Sequence, residues 1–305
     1  MGLSVLLSSS VIFVYISLLF FGSFVTSLFY LWVVLELCLV ITVCWMVWTG
    51  ARVSCVFEYF IIQAFSSLLM VCGFFGGSGL VVLLSLFVKL GLFPVMSWVV
   101  DVVWGVNSAL ALFMVLGLQK LVPLVMVSRW VWFVDGYTSV LFLLVCLGIV
   151  FGALTMLSGM SWKWVLAMSS LMHTSWLVTL VLGSAFSLVS YFMWYLVLLG
   201  SLLISAYSGL SLALLVGLGS LSGLPPLLGF MLKVYSFSAL GSMLYLIFGA
   251  VLMGGVWGVV GYFQGALNFL LASYSSGVVL QHYGFKAIAS SFMVVIFSFS
   301  LVFLM

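Results

Sequence analysis

The chain has 305 residues, 67% of them hydrophobic and 4% charged, with seven Lys+Arg against four Asp+Glu and a mean hydropathy of +1.53. A soluble globular protein carries about 25% charged residues, so a soluble enzyme, a nucleic-acid binder and a disordered protein are excluded. What remains is a polytopic membrane protein, and its net charge of +3 includes no basic run able to hold phosphate or anionic lipid. Residues 1–10 contain no Lys or Arg, so neither a signal-peptide n-region nor an Arg-rich transit peptide is expected there. Insertion then relies on the spans themselves.

A spanning helix needs about 20 apolar residues. Read from breaker to breaker, the sequence predicts about eleven helices, near 3–21, 24–48, 57–75, 79–98, 104–127, 138–157, 162–183, 188–208, 211–238, 241–267 and 285–305. The apolar runs are continuous, without the alternation of a membrane barrel, so the fold class is all-α. The longest polar link is 268–284, with Ser273-Tyr274-Ser275-Ser276-Gly277 and Gln281-His282. Arg52, Lys163 and Lys286 fall on the face of the N-terminus with Asp101; Arg129 and Asp135 fall on the other. The positive-inside rule counts Lys and Arg only, and it puts the N-terminus on the matrix or cytoplasmic side.

Two predicted helices are interrupted. Pro94 lacks an N–H and frees the carbonyl of Leu90, with Gly91 beside it; Pro225-Pro226 frees those of Leu221 and Ser222, flanked by Gly223 and Gly229. A freed carbonyl in lipid costs several kcal/mol unless protein or water meets it. Each break is either a packing kink or part of a buried cavity. The broken helices are the fourth and the ninth, which implies two inverted five-helix repeats, 1–130 and 138–267, and a terminal helix, 285–305, in a single transmembrane domain. Interrupted helices in matching positions of two halves point to a transporter's midplane site.

A charge near the bilayer centre costs about 2.5–3.5 kcal/mol even on the lenient insertion scale. Yet Glu36 lies within LWVVLELCLV, Lys89 beside the first break, Lys120 inside the fifth segment and Lys233 two turns after Pro226. Long side chains can snorkel to an interface; Glu36 is too short to do so. A desolvated amine can exist charged or neutral, so buried lysines linked by water can relay protons. His173, in the seventh segment, either joins that row or is a hydrogen-bonded structural histidine.

Other chemistries lack the residues. A bis-His haem needs two intramembrane histidines, and only His173 qualifies. Gly217-x-Gly219 has no strand before it and no acidic partner, so it is no dinucleotide site. The five cysteines, Cys38, Cys44, Cys55, Cys72 and Cys146, have no CxxC spacing and read as small buried hydrophobes rather than a metal site or disulfide. Gly254, Gly258, Gly261 and Gly265 read as a close helix-packing face. Abundant Phe, Val, Leu, Gly and Trp beside scarce Pro, His, Lys and Asn match a coding strand biased to T and G, as in some organelle genomes.

Several stretches carry a family resemblance. LSGLPPLLGFMLK, Leu221 to Lys233, KLGLFPVMSWVVDV, Lys89 to Val102, LQKLVPL, WKWVLAMSSLMHTSWLV and YFIIQAFSSLLM occur within residues 24–235. Together they resemble the NADH-ubiquinone oxidoreductase chain 2 family, a membrane-arm subunit of respiratory complex I. Val100-Asp101 stands where that family usually has Pro-Glu. The resemblance implies proton-path roles for Glu36, Lys89, Lys120 and Lys233 and a short N-terminus directly before the repeats. It implies no cofactor or metal on this chain, with NADH, FMN, iron–sulfur clusters and ubiquinone on partner subunits. The implied neighbours are other membrane-arm subunits, antiporter-like ones among them, in the mitochondrial inner membrane, with the N-terminus on the matrix side. A free-standing cation/proton antiporter, with the same Lys and Glu set, is the alternative; a scaffold with vestigial lysines is a third reading.

Overall fold

The computed structural model describes residues 2–130, 138–158, 161–181, 185–208, 211–224, 227–240 and 245–275. The described residues are helical, without strands. Four stretches are long and apolar enough to cross a membrane: Leu28–Trp48, Val53–Phe75, Ala109–Arg129 and Phe186–Ser208. The chain forms two compact units, Met1–Val140 and Leu141–Met305.

The first unit is built from α1 (Gly2–Phe24), α2 (Leu28–Trp48), α3 (Val53–Phe75), α4 (Gly79–Leu90), α5 (Ser97–Gly105), α6 (Ala109–Leu116) and α7 (Leu121–Trp130). α3 packs against α2, α4 and α5. Glycines allow the close approaches. A Cβ at Gly73 would lie 2.9 Å from the Val82 backbone nitrogen, and one at Gly105 would lie 1.9 Å from Cys55 Sγ. α2 turns Leu31, Leu35, Cys38, Leu39 and Thr42 inward at helical spacing. Outside, Phe20, Phe24, Phe29, Phe57 and Phe65 are exposed, an apolar face suited to lipid. Arg129, in the last turn of α7, donates to the Ser23 carbonyl at 2.6 Å and to that of Val25, capping the carbonyls at the end of α1.

The fifth predicted segment is not one helix. α6 ends at Leu116, a tight 3-10 turn spans Leu118–Lys120, and α7 starts at Leu121. The cause is Pro123, which cannot donate to the Gln119 carbonyl and whose ring clashes with it. The fourth segment likewise ends as a helix at Leu90 and resumes as α5 at Ser97.

The second unit contains α8 (Thr138–Leu157), α9 (Trp162–Leu180), α10 (Ala185–Ser208), α11 (Ser211–Ser222), α12 (Leu228–Leu240) and α13 (Tyr245–Ser275). α9 is its centre: every residue from Val165 to Leu180 is buried. This helix is also rich in hydroxyls, and they are satisfied within it. Ser169, Ser170, Thr174, Ser175 and Thr179 each donate to a carbonyl three or four residues back, a bond that lets polar residues sit in a helix interior. α13 extends beyond the predicted 267 into what reads as a polar link, because residues 268–276 contain no Pro or Gly. The predicted helix at 285–305 lies outside the described residues.

The glycine stripe of α13 is a close-packing face. A Cβ at Gly254 would lie 2.2 Å from Ile149 Cγ2 and one at Gly261 2.7 Å from Met156 Cβ, both on α8. At Gly258 it would lie 3.2 Å from Met172 Sδ, and at Gly265 2.7 Å from Val165 Cγ2, both on α9. The alternation follows helix geometry, since residues seven apart share a stripe. The cysteines are free; Cys38 and Cys55 are buried, whereas Cys44 and Cys72 are exposed, which corrects the expectation that they are core residues: their helix positions face outward. Gly261→Val should cost about 1–3 kcal/mol through overpacking and lower the temperature at which the detergent-solubilised protein loses structure. Gly255→Ala, whose Cβ would meet nothing within 4 Å, should leave that temperature the same or higher.

Candidate functional site

The buried charges of the first unit gather around α3. Lys89, 6% exposed, lies in the last turn of α4. Its ammonium donates to the Gln63 carbonyl at 3.3 Å, while the Gln63 side-chain amide donates to the Lys89 carbonyl at 3.4 Å. Gln63 thus holds both the charge of Lys89 and one of the carbonyls left open by the helix end. Glu36 lies within α2. Glu36 Oε1 is buried and meets no hydrogen-bond partner among the described residues.

The break beyond Lys89 closes with a defined motif. Gly91 adopts φ 67° and ψ 41°, its N–H donates to the Val88 carbonyl at 3.2 Å, and the Leu92 N–H donates to the Phe87 carbonyl at 3.0 Å. This is a Schellman cap. A Cβ at Gly91 would also lie 2.4 Å from Val99 Cγ2 on α5. Pro94 follows in the non-helical stretch before Ser97.

Lys120, 5% exposed, ends the 3-10 turn. Its neighbour Gln119 accepts from the Tyr59 hydroxyl at 2.6 Å, and that hydroxyl lies 3.0 Å from Thr42 Oγ1. These buried groups tie α2, α3 and the turn together.

In the second unit, Gly223 (φ 77°) repeats the motif at the end of α11, with the Gly223 N–H on the Ser220 carbonyl at 3.2 Å and the Leu224 N–H on that of Gly219 at 3.4 Å. Lys233, 8% exposed, donates from α12 to the Ser222 carbonyl at 2.6 Å. It therefore meets the negative end of the α11 dipole. Pro225 and Pro226 lie outside the described residues. Gly229 lets α12 approach this helix end, since a Cβ there would lie 1.6 Å from the Ser220 oxygen.

His173 sits in a tyrosine cage. Nδ1 is 2.9 Å from the Tyr191 hydroxyl, Nε2 is 3.2 Å from that of Tyr262, and the Tyr195 ring centre lies 5.2 Å away. A cavity of about 10 Å³, room for one water, is lined by His173, Tyr191, Tyr195, Leu221, Gly229 and Leu232. Its wall thus includes residues of α9, α10, α11 and α12.

NADH-ubiquinone oxidoreductase chain 2 of Branchiostoma floridae is 30% identical over 236 residues, which cover 66% of this chain and 67% of that protein. The chain 2 of Mytilus edulis is 33% identical over 221 residues, covering 65% of this chain and 66% of that one. The chain belongs to the NADH-ubiquinone oxidoreductase chain 2 family. It spans about two thirds of the length of these curated relatives, and 59% of the chain 2 of Albinaria caerulea, to which it is 30% identical. No protein-family model matches it. Two solved structures share the fold: a chain of the membrane-bound sulfane sulfur reductase, an archaeal respiratory membrane complex, at TM-score 0.75 and 15% identity, and a chain of the Mrp complex from Dietzia sp. DQ12-45-1b at TM-score 0.66 and 16% identity. The alignments cover 90% and 81% of this chain, but 69% and 56% of the others.

The polar residues around these charges in this chain 2 family member are those that composition alone passes over. Gln63, Thr42, Tyr59, Gln119 and the three tyrosines around His173 are uncharged. Their signal was a Gln or Thr inside an apolar run, where an unpaired polar group is costly. Gly223→Ala should cost about 1–2 kcal/mol for the left-handed backbone, and more because the new Cβ would lie 2.9 Å from Lys233 Cδ. A lowered melting temperature against wild type in the same detergent would report it.

Proposed function

We propose that this chain is a proton-translocating membrane subunit of a respiratory complex I, with no redox group of its own. NADH, FMN, iron–sulfur clusters and ubiquinone belong to partner subunits in this reading, and the neighbours are other membrane-arm subunits, antiporter-like ones among them. The setting is the mitochondrial inner membrane, with the N-terminus on the matrix side. Eleven helices form two inverted five-helix repeats, 1–130 and 138–267, with a terminal helix at 285–305. Glu36, Lys89 and Lys120 serve as proton carriers in the first unit, and His173 and Lys233 in the second.

The observation that carries the reading is the matched pair of helix breaks. Each is closed by a left-handed glycine, and each has a buried lysine whose Nζ donates to a backbone carbonyl rather than to a carboxylate. An ammonium and a neutral amine can both donate to a carbonyl. The proton can therefore come and go while the contact persists, as a relay group needs and a fixed ion pair would oppose. The cavity beside His173 gives water a place next to the second break.

Lys89→Met and Lys233→Met should assemble and lower proton pumping coupled to NADH oxidation by about tenfold or more, as loss of an acid–base group does. Proton uptake by coupled membrane vesicles measures it; normal pumping in both variants would return the lysines to a packing role. Purification separates the alternative. A complex I subunit migrates with a very large NADH-oxidising assembly, whereas a free-standing cation/proton antiporter does not.

A further inference from the structure

The relay reading leaves open how Lys89, on α4, communicates with Lys120, in the turn after α6. One face of α3 touches both neighbourhoods. Gln63 holds Lys89 through two hydrogen bonds. Tyr59, one helical turn earlier on the same face, holds Gln119, which immediately precedes Lys120. On its other side Tyr59 meets Thr42 of α2. Tyr59, Thr42 and Gln63 are each no more than 1% exposed, so water competes little for these bonds.

The hydrogens in this group do not have one arrangement only. The Thr42 hydroxyl can donate to the Leu39 carbonyl at 2.8 Å or to Tyr59 at 3.0 Å, and the Tyr59 hydroxyl can donate to Gln119 at 2.6 Å or to Thr42. Each hydroxyl has one hydrogen, so two hydrogens serve three contacts. Reorienting them turns the pull on Gln119 on or off without moving a net charge: when the Tyr59 hydrogen turns to Thr42, the Gln119 oxygen 2.6 Å away loses its donor and is pushed off. A buried polar atom without a hydrogen-bond partner lies nearby: Nε1 of Trp98, whose ring centre is 6.0 Å from the Tyr59 ring.

We propose that Thr42, Tyr59 and Gln119 are positioning residues that couple Lys89 to Lys120 through α3, the orientation of two hydroxyl hydrogens setting how Gln119 is held beside Lys120. The proposal rests on the proton-relay reading above. The two hydroxyl rotations change no covalent bond; the proton they gate leaves the Nζ of one lysine, breaking its N–H bond, and passes through water to form an N–H bond at the Nζ of the other.

The test uses the assembled complex in coupled vesicles, with proton translocation measured per NADH oxidised. Tyr59→Phe and Thr42→Val should each slow translocation by roughly three- to tenfold, the worth of one lost hydrogen bond expressed as a rate. Thr42→Ser, which keeps the hydroxyl, should translocate close to the wild-type rate. Wild-type rates in both Tyr59→Phe and Thr42→Val would overturn the proposal, as would Thr42→Ser falling as low as Thr42→Val, which would make packing the cause. Should Tyr59→Phe fail to assemble, the near-isosteric Thr42→Val and Thr42→Ser pair decides alone. Lys120→Met separates the two levels. If it translocates normally the relay reading itself fails; if it is impaired while Tyr59→Phe and Thr42→Val are normal, only the link through α3 is lost.

Discussion

A backbone carbonyl in an apolar medium has to find a donor within the protein, because no water is at hand to supply one. This requirement governs each place where a helix of this chain stops inside the bundle. At the end of α4 the Lys89 carbonyl is met by the Gln63 amide, and at the end of α11 the Ser222 carbonyl is met by Lys233. Both ends then turn through a left-handed glycine whose amide reaches back to the last turn. At the end of α1, Arg129 supplies the donors instead. An interrupted helix creates acceptors, and each is met by a side chain from another helix: a neutral amide at the end of α4, a lysine at the end of α11 and an arginine at the end of α1.

The same logic explains why the polar residues cluster as they do. A lone Gln or Tyr in hydrocarbon is unfavourable, and a group of them sharing hydrogen bonds is much less so. In the first unit Gln63 and Tyr59 place two such groups on consecutive turns of α3. In the second unit His173 engages two tyrosines with its two ring nitrogens, on a helix buried on every side. In the second unit the cluster is anchored on a fully enclosed helix; in the first it lies on the inward face of α3, whose other face exposes Phe57, Phe60 and Phe65.

Much of this is visible in the order of residues. Apolar runs of spanning length, four charged residues inside them, and glycines at three- and four-residue spacing can be read directly, since each is a local property of composition and period. The glycine stripe of α13 is the clearest case, because a missing side chain on one face has few uses other than close approach. Pro123 is equally visible, but its effect on the preceding turn is not. A proline near a helix start is tolerated, and whether it distorts the preceding turn depends on what surrounds the Gln119 carbonyl.

By itself, then, the sequence determined a membrane protein made of helices, the residues whose charge is out of place in lipid, and the family to which its motifs are similar. Those follow from burial costs and hydrogen-bonding rules that act within a segment of about 20 residues. The tertiary structure decided which groups satisfy one another: Gln63 for Lys89, Ser222 for Lys233, Tyr59 for Gln119, and two tyrosines for His173. The physical reason is that a hydrogen bond is settled within a few tenths of an ångström, between atoms brought together by helix packing, and packing depends on neighbours far away in the chain.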